Sequence, residues 1–506
     1  MTMAVDVRRM DTKYEATNEQ QADAWRGPVL VATALIAVMG GMFLGARSIG
    51  QDESISAGLG LGSWEAFRIG VGEDGGSQSL YFLLVRGVTA VFGDAPWVIR
   101  LPALLGAMAI PYPLYRLVQP RLGRDAAFRA LIFLAVAYTF VANAQEGRAY
   151  TVLAAILTWT WFALDRALET ATLRAWLKVG ALAALSLYAQ PLGIPVLIGQ
   201  ALWVLLHRRQ VVGRYFVAAG SLAAVLAAPF AYLTLFEAVD HTEWLGTFTV
   251  GRFAEMVMAM LGAQDINASL SLSVAGAGVV ACFAAFEAVS FGNLRSEHDR
   301  ADYREKTLLF VIWAVVPLMV ITAGSFSRAY FSARYAVPLV PPVMVLAAAG
   351  TVRLERIDRR LSMAALVAVA ALLGARTLGG YGNEDVPWDE LHAFVAERAT
   401  PADIIAFEPA YAQSPFEYYT FINGDADTMA RPMAPALGWT APRHPNLEEY
   451  PDTTIAAPEG DLWVVLWGAQ GIDNVAPIVE RLDEPMVEVE RHPFGVGLVV
   501  RYEHVG

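Results

Sequence analysis

The chain has 506 residues, of which 56% are hydrophobic and 17% are charged, and its net charge is −12. Soluble globular proteins carry about one-quarter charged residues, so this composition excludes an ordinary soluble protein and indicates a membrane protein. The single cysteine, Cys282, excludes an intrachain disulfide and a cysteine-based metal site, and the acidic balance argues against a nucleic-acid partner.

The chain begins with a polar segment, residues 1–26, which is predicted to be a disordered cytoplasmic tail. A membrane-spanning helix needs about 20 mostly apolar residues, and eleven apolar segments follow the tail. The predicted fold is therefore mainly α, a polytopic membrane domain over residues 27–378 with about eleven transmembrane helices. The candidate spans lie near residues 28–45, 99–115, 127–141, 150–164, 177–189, 192–206, 215–236, 270–291, 308–323, 336–350 and 361–378.

The basic residues predict how these spans are oriented. With the N-terminus inside, 22 of the 37 Lys and Arg residues fall in cytoplasmic segments, and 8 fall in outside loops before the last span. Short cytoplasmic loops carry an excess of Lys and Arg. The pattern predicts an odd number of spans, with the N-terminus in the cytoplasm and the C-terminus outside.

Residues 379–506 differ in character from the rest of the chain, because they carry 22 acidic residues and 6 Arg. Short apolar runs at 403–407, 461–467 and 496–502 alternate with helical patterns at 388–399 and 474–482. This alternation predicts a small extracytoplasmic α/β domain.

The first outside loop, residues 47–98, is too long for a simple connection, and loops of this length are usually functional or disordered. It opens with GQDESIS, which places Asp52 and Glu53 just beyond the membrane, and Asp74 follows in GEDGGSQSLYF. The apolar run 80–92 is too short to span a membrane and carries Arg86. It is predicted to be an interfacial helix.

Three further outside segments carry polar groups. NAQEGRAY (143–150) contributes Glu146 and Arg148, and SARYAVP (332–338) contributes Arg334. The third segment, the reversal between the fifth and sixth predicted spans, contributes Tyr188 and Gln190. Together with Tyr150 and Tyr335 from the first two segments, these are the aromatic and amide candidates for substrate binding. Simpler interpretations stay open: the acids as solvated helix ends, Glu146 as a structural partner of Arg148, the arginines as snorkelling side chains and the tyrosines as an aromatic belt.

The order of these motifs resembles the GT-C glycosyltransferases, and is most similar to the protein O-mannosyltransferases and the lipid A aminoarabinose transferase. The resemblance rests on the DE pair, on the LYF and RLP segments between residues 80 and 102, and on QEGRAY and RYAVP. It implies a bacterial inner-membrane enzyme that transfers a sugar from a polyprenyl-phosphate donor to a lipid, glycan or protein acceptor outside, with inversion. One departure is SQSLY (77–81), where relatives often carry HPPLY.

Under this hypothesis the catalytic residues are Asp52, as general base, and Glu53, as its orienting or substrate-binding neighbour, while Arg148 and Arg334 bind the donor phosphate. Asp74 is a second acidic candidate, for the acceptor or for a divalent cation. The loop has no DxD motif and no histidine cluster, so neither a metal nor a cofactor is predicted. The alternatives are a transporter or flippase of a lipid-linked glycan, and a scaffold. Ion-coupled transport is disfavoured because the confident spans lack ionisable residues near their centres.

Overall fold

The computed structural model describes residues 25–207, 213–238, 247–263, 270–289, 297–326, 332–381, 386–425, 428–432, 457–468, 479–480 and 482–504. The predicted disordered tail lies outside the described residues, except for its last two positions. Most of the predicted helical pattern at 474–482 lies outside them as well. So do several basic residues of the topology argument, namely Arg8, Arg9, Lys13, Arg208, Arg209, Arg295 and Arg328.

The first three-quarters of the chain is almost entirely helical where it is described. In chain order the helices are α1 (Arg26–Gly41), α2 (Gln51–Leu61), α3 (Trp64–Glu73), α4 (Ser79–Phe92), α5 (Pro96–Met108), α6 (Pro111–Leu122), α7 (Arg124–Val136), α8 (Tyr138–Ala144), α9 (Tyr150–Thr170), α10 (Leu173–Ala189), α11 (Gly193–His207), α12 (Gly213–Phe236), α13 (Val250–Met260), α14 (Leu270–Val289), α15 (Glu297–Ser325), α16 (Val340–Arg353) and α17 (Arg359–Leu378). The 3₁₀ segment Ala333–Leu339 precedes α16, and a second one, Leu354–Arg356, follows it.

Each predicted span coincides with one of these helices or with two consecutive ones. By length and apolar character, six helical segments of the described chain can cross a membrane, or seven if the bent pair α7 and α8 counts as one span. Four shorter apolar helices accompany them: α1, α4, and parts of α11 and α14. The structure therefore confirms a mainly helical, multi-span membrane protein. Length and apolar character establish six or seven of the eleven predicted spans within the described residues.

The bent pair α7 and α8 turns by 60° at Ala137. A break inside a membrane frees backbone groups that need new partners. The Thr377 hydroxyl donates to the Val136 carbonyl oxygen at 2.8 Å, and the Thr139 N–H donates to the Gly262 carbonyl oxygen at 3.4 Å. The bend directs the end of α8 into the QEGR segment, which lies beside α2.

The acidic C-terminal region forms a mixed five-stranded sheet with two helices, α18 (Trp388–Ala396) and α19 (Gln413–Asn423). Its strands are β1 (Ile404–Glu408), β2 (Arg431–Pro432), β3 (Leu462–Trp467), β4 (Met486–Phe494) and β5 (Gly497–His504), in the order β2-β1-β3-β5-β4. Strand β1 is parallel to β2 and β3, whereas β5 is antiparallel to β3 and β4. The three predicted apolar runs became β1, β3 and β5.

The C-terminal region packs on the first loop, at the end of the bundle where that loop emerges. The Ser48 hydroxyl donates to the Val386 carbonyl oxygen at 3.1 Å, and the Ile49 N–H donates to the Tyr419 hydroxyl at 2.8 Å. The Ser54 and Ser414 hydroxyls lie 2.7 Å apart. These contacts join α19 to α2, and a single cluster of buried apolar residues extends from the membrane helices into the sheet. The C-terminal region therefore supports the loop that carries Asp52.

Candidate active site

The DE pair lies in the first turn of α2. Gly50 caps this helix, and its N–H donates to Glu53 Oε2 at 3.2 Å. Acidic side chains are favourable at a helix N-terminus, where the free N–H groups carry partial positive charge. Successive residues of an α-helix are rotated by about 100°, so Asp52 and Glu53 point in different directions. The side chain of Asp52 is 29% exposed and that of Glu53 is 5% exposed.

Glu53 is held inside the protein by a bidentate ion pair. Arg100 donates from Nε to Glu53 Oε1 at 2.7 Å and from Nη2 to Glu53 Oε2 at 2.8 Å. The Gly147 N–H adds a third hydrogen bond, to Oε1 at 2.6 Å. Burial by itself raises the pKa of Glu53, but Arg100 outweighs burial, with help from Arg47 and Gly147, and lowers the pKa to about 2.

Arg100, near the start of α5, is the centre of this arrangement and is only 1% exposed. Besides Glu53, it donates from Nη1 to the Leu44 carbonyl oxygen at 2.7 Å and to the Arg47 carbonyl oxygen at 2.8 Å. Nη2 also donates to the Ser48 carbonyl oxygen at 2.8 Å. One guanidinium thus ties the end of α1, the start of α2 and α5 together.

Arg100 was missed as a site residue, because an arginine in an outside loop resembles a solvated charge. A signal was nevertheless present. It follows Pro96 at the start of an apolar helix, and an ionisable residue within such a segment is costly unless it is paired. This rule, applied to the RLP motif, points to an acidic partner.

Asp52 is contacted by two arginines that are far apart in the chain. Arg334 donates from Nη1 to Asp52 Oδ2. Arg148 donates from Nη1 to the Asp52 carbonyl oxygen at 3.1 Å, and its Nη2 lies 3.9 Å from Asp52 Oδ1. Burial raises the pKa of Asp52, but Arg148 and Arg334 together outweigh burial and hold the pKa below its ordinary value. The predicted convergence of these three residues is present in the structure.

The QEGR segment is placed by its contacts with α1 and α2. Gln145 Nε2 donates to the Met42 carbonyl oxygen at 2.6 Å. Gly147 approaches Glu53 closely: a Cβ at this position would lie 3.1 Å from Ile99 Cγ2 and 3.3 Å from Glu53 Oε1. Because glycine has no Cβ, the backbone can donate to Glu53 and still direct Arg148 towards Asp52.

Glu146 differs from the prediction, which considered it as a partner of Arg148. Its Oε1 lies 3.3 Å from Arg334 Nη1, so its ion pair is with Arg334. The reason is backbone geometry: the Arg148 N–H donates to the Glu146 carbonyl oxygen at 2.7 Å in a tight turn, and Arg148 turns to Asp52. Arg334 therefore lies between two carboxylates, those of Asp52 and Glu146.

The remaining predicted site residues lie around this centre or away from it. Tyr150 and Tyr335 flank it, with ring centroids 6.5 Å apart. Asp74 acts on Arg148 electrostatically. Gln190 accepts a hydrogen bond from the Ser77 hydroxyl at 2.9 Å, and Tyr188 donates to the Leu226 carbonyl oxygen at 2.7 Å. Both residues are thus fixed by contacts among α10, α12 and the loop before α4, and no described contact joins them to Asp52.

The centre offers an accessible carboxylate with two guanidinium groups beside it. Guanidinium groups bind phosphate through directed hydrogen bonds and stay charged at physiological pH, and a carboxylate can accept a proton. Among the described residues, no three His, Cys, Asp or Glu side chains form a group that could hold a metal ion. Fold and site together define a polytopic membrane protein in which carboxylate and guanidinium groups converge at the end of the bundle where the first loop and the C-terminal region meet.

Comparisons with known proteins identify this class further. Residues 79–233 match the family model described as dolichyl-phosphate-mannose-protein mannosyltransferase. This segment contains Arg100, Glu146 and Arg148, whereas Asp52, Glu53 and Arg334 lie outside it. No curated protein sequence matches the chain.

Solved structures share the fold over nearly the whole chain. ArnT from Cupriavidus metallidurans, bound to undecaprenyl phosphate, superposes with a TM-score of 0.59 at 15% identity, covering 95% of this chain and 98% of that one. The same protein in the apo state gives a TM-score of 0.58 at 15% identity, with 94% and 98% coverage. The oligosaccharyltransferase from Archaeoglobus fulgidus gives 0.51 at 13% identity, covering 86% of this chain and 62% of that one.

The family match and the shared fold confirm the resemblance seen in the sequence. Residues 79–233 of the chain are thus similar to the protein mannosyltransferase family, and the chain shares its fold with ArnT and with the oligosaccharyltransferase.

Proposed function

We propose that the chain transfers a sugar from a polyprenyl-phosphate donor to a hydroxyl acceptor, with Asp52 as general base and with Arg148 and Arg334 as ligands of the donor phosphate. The observation that carries this proposal is the convergence of Arg148 and Arg334 on Asp52 from separate parts of the chain. The similarity to an ArnT structure bound to undecaprenyl phosphate supports the choice of donor.

The reaction follows from the chemistry of a sugar phosphodiester. The acceptor oxygen bonds to the anomeric carbon while its proton passes to the Asp52 carboxylate. The bond between that carbon and the phosphate oxygen breaks, and its electron pair leaves with the polyprenyl phosphate. Attack opposite the leaving group inverts the anomeric centre. The arginines stabilise the charge that develops on the phosphate.

Of the two roles predicted for Glu53, orienting Asp52 and binding substrate, this proposal keeps the orienting role. Both of its oxygens are engaged by Arg100 and by backbone N–H groups, and it is almost fully buried. It cannot reach an acceptor without breaking a buried ion pair. Glu53 and Arg100 hold the first turn of α2, so they fix the place of Asp52.

The membrane arrangement completes the proposal. Residues 27–378 form the membrane domain with eleven spans: the seven long apolar segments, with the bent pair α7 and α8 counted as one, together with the shorter helices α1, α10, α11 and α14. Helix α4 lies at the interface. The active site and the domain of residues 379–506 face the outside of a bacterial inner membrane. The shared position of the first loop and the C-terminal region at one end of the bundle supports an odd number of spans.

The base assignment is tested with purified protein in lipid nanodiscs and radiolabelled undecaprenyl-phosphate sugars, a hexose, a pentose and an aminosugar. We expect Asp52→Asn to transfer the accepted sugar slower by about 10²-fold or more, because a positioned general base contributes that much. Glu65→Gln, which removes an exposed acid from the same loop, serves as control and should keep wild-type turnover. Wild-type turnover in Asp52→Asn would refute the assignment.

A further inference from the structure

The two arginines assigned to the donor phosphate are paired with the base itself. Arg334 Nη1 contacts Asp52 Oδ2 and lies 3.3 Å from Glu146 Oε1. Arg148 approaches the same Asp52 carboxylate at 3.9 Å. A carboxylate held by two guanidinium groups is a weak base, because the positive charges stabilise its ionised form. The hydrogen bond from Arg334 also takes up one lone pair of Oδ2.

From this geometry we infer that donor binding switches on the base: the donor phosphate replaces Asp52 as the partner of Arg334, and Asp52 is thereby released to accept the proton of the acceptor. The inference rests on the proposed function and assigns a regulation to the same site. It requires the donor to bind before productive proton transfer, so that an acceptor alone meets a carboxylate that is engaged by arginine.

Solvent exposure allows a phosphate to replace the carboxylate in the ion pair of Asp52, but not in the ion pair of Glu53. The side chains of Asp52 and Arg334 are 29% and 35% exposed, so an incoming phosphate can reach the ion pair. Those of Glu53 and Arg100 are 5% and 1% exposed, so their pair is closed to a ligand. The competing anions also match, since phosphate and carboxylate both accept charge-assisted hydrogen bonds from guanidinium.

Glu146 gains a role as a positioning residue in this exchange. Its Oε1 lies 3.3 Å from Arg334 Nη1, the same nitrogen that contacts Asp52, and Gly147 beside it is fixed by Glu53. When Asp52 is released, Arg334 keeps one carboxylate partner. Its guanidinium therefore stays in the centre and turns to the phosphate instead of moving into solvent. After transfer, polyprenyl phosphate leaves, Asp52 loses its proton to water and pairs with Arg334 again.

The binding test measures the affinity of the full chain in nanodiscs for undecaprenyl phosphate, with inorganic phosphate as a second probe. Because Asp52 competes for Arg334, Asp52→Asn should bind undecaprenyl phosphate about tenfold more tightly, which corresponds to the loss of one charge-assisted contact, even though transfer is lost. Tighter binding of inorganic phosphate by a similar factor would show that the phosphate alone drives the exchange. If only undecaprenyl phosphate binds more tightly, the prenyl chain is needed to place the phosphate at Arg334.

Glu65→Gln is the matched control, because it removes the same charge from an exposed residue of the same loop. A general electrostatic effect would tighten binding equally in both variants and would overturn the inference. In an Arg334→Ala background, Asp52→Asn should give no gain in affinity. If the wild type binds undecaprenyl phosphate and transfers sugar, but Asp52→Asn binds undecaprenyl phosphate no more tightly, then the exchange at Arg334 is overturned while the proposed function stands. Absence of undecaprenyl-phosphate binding and of transfer in the wild type would instead refute the proposed function.

A second measurement needs no variant. The pH dependence of kcat/KM for the donor reports groups of the free enzyme, and that of kcat reports groups of the complex. If the phosphate takes Arg334 from Asp52, the acidic limb of kcat should lie at higher pH than the acidic limb of kcat/KM. Coincident limbs would contradict the release of Asp52.

Discussion

Asp52 and Glu53 are neighbours in the chain, and each is paired with arginine, yet their surroundings are opposite. Glu53 is sealed inside the protein, with Arg100 and two backbone N–H groups on its oxygens. Asp52 is partly exposed and shares Arg334 with Glu146. A carboxylate whose partners are all fixed can hold a structure in place. One whose partner is shared and accessible can exchange that partner for a substrate, and the proposed function therefore assigns catalysis to Asp52 and a positioning role to Glu53.

The largest effect is expected from removing Arg100, the guanidinium partner of Glu53. Arg100→Met leaves the carboxylate buried without its guanidinium, and removing one partner of a buried ion pair costs about 3–5 kcal/mol. We therefore expect the largest loss of stability here, measured as thermal unfolding of the purified protein in detergent. Arg334→Met is the matched control and should cost about 1 kcal/mol or less, because its pair is partly exposed. Equal losses in the two variants would contradict the contrast.

Much of the helical fold was predictable from hydropathy, because apolar runs in a bilayer must form helices. The break of the third predicted span at Ala137 was not, since its freed Val136 carbonyl is satisfied by Thr377 on a distant helix. In the C-terminal region, β4 was missed because it is an exposed edge strand that carries Glu488, Glu490 and Arg491. Charges on an edge strand prevent unwanted pairing, and they also hide the strand from a search for apolar runs.

Helix α19 was missed for a different reason. Its sequence, QSPFEYYTFIN, is rich in aromatic residues that favour strands. It is helical in its tertiary context, where Tyr419 contacts Ile49 and Ser414 contacts Ser54. In the site, topology was sufficient to bring Asp52, Arg148 and Arg334 to one surface. Two kinds of partner distinguish Glu53 from Asp52: the Arg100 guanidinium, which the RLP motif signals, and the N–H groups of Gly50 and Gly147, which no side-chain motif reveals.

The stability that Glu53 contributes depends on pH, because its pKa differs between the folded and the unfolded chain. The pKa of Glu53 is lowered from 4.5 to about 2. The unfolded chain therefore binds this proton at a higher pH than the folded one does. The contribution of Glu53 to stability is complete above pH 4.5 and is lost as the pH falls towards 2. Because hydrogen bonds to charged groups contribute about 1.5–3 kcal/mol, we expect Glu53→Gln to be destabilised by roughly that amount at pH 7.

Stability measured between pH 7 and pH 3 provides the check on this prediction. The difference between wild type and Glu53→Gln should narrow as the pH falls through 4.5, since the wild-type carboxylate begins to lose its advantage. A difference that stays constant to pH 3 would show that Glu53 contributes through packing rather than through its charge. Asp52→Asn serves as the comparison, with a smaller effect at pH 7 because the Asp52 side chain is partly exposed.

The smallest predicted effect concerns how far the scaffold around Glu53 extends into the C-terminal region. The Ile49 N–H donates to the Tyr419 hydroxyl at 2.8 Å, one residue after the Ser48 carbonyl that accepts from Arg100. Tyr419→Phe leaves this buried N–H unsatisfied and should cost about 1 kcal/mol. If α19 positions the start of α2, kcat should also fall several-fold while the affinity for undecaprenyl phosphate stays unchanged, because Arg148 and Arg334 are untouched.

Tyr411→Phe, on the 3₁₀ turn Ala410–Ala412 before α19, is the control. A loss of stability with full kcat would restrict the C-terminal region to support of the fold, and a loss of donor affinity would show that it acts on the arginines instead of on Asp52.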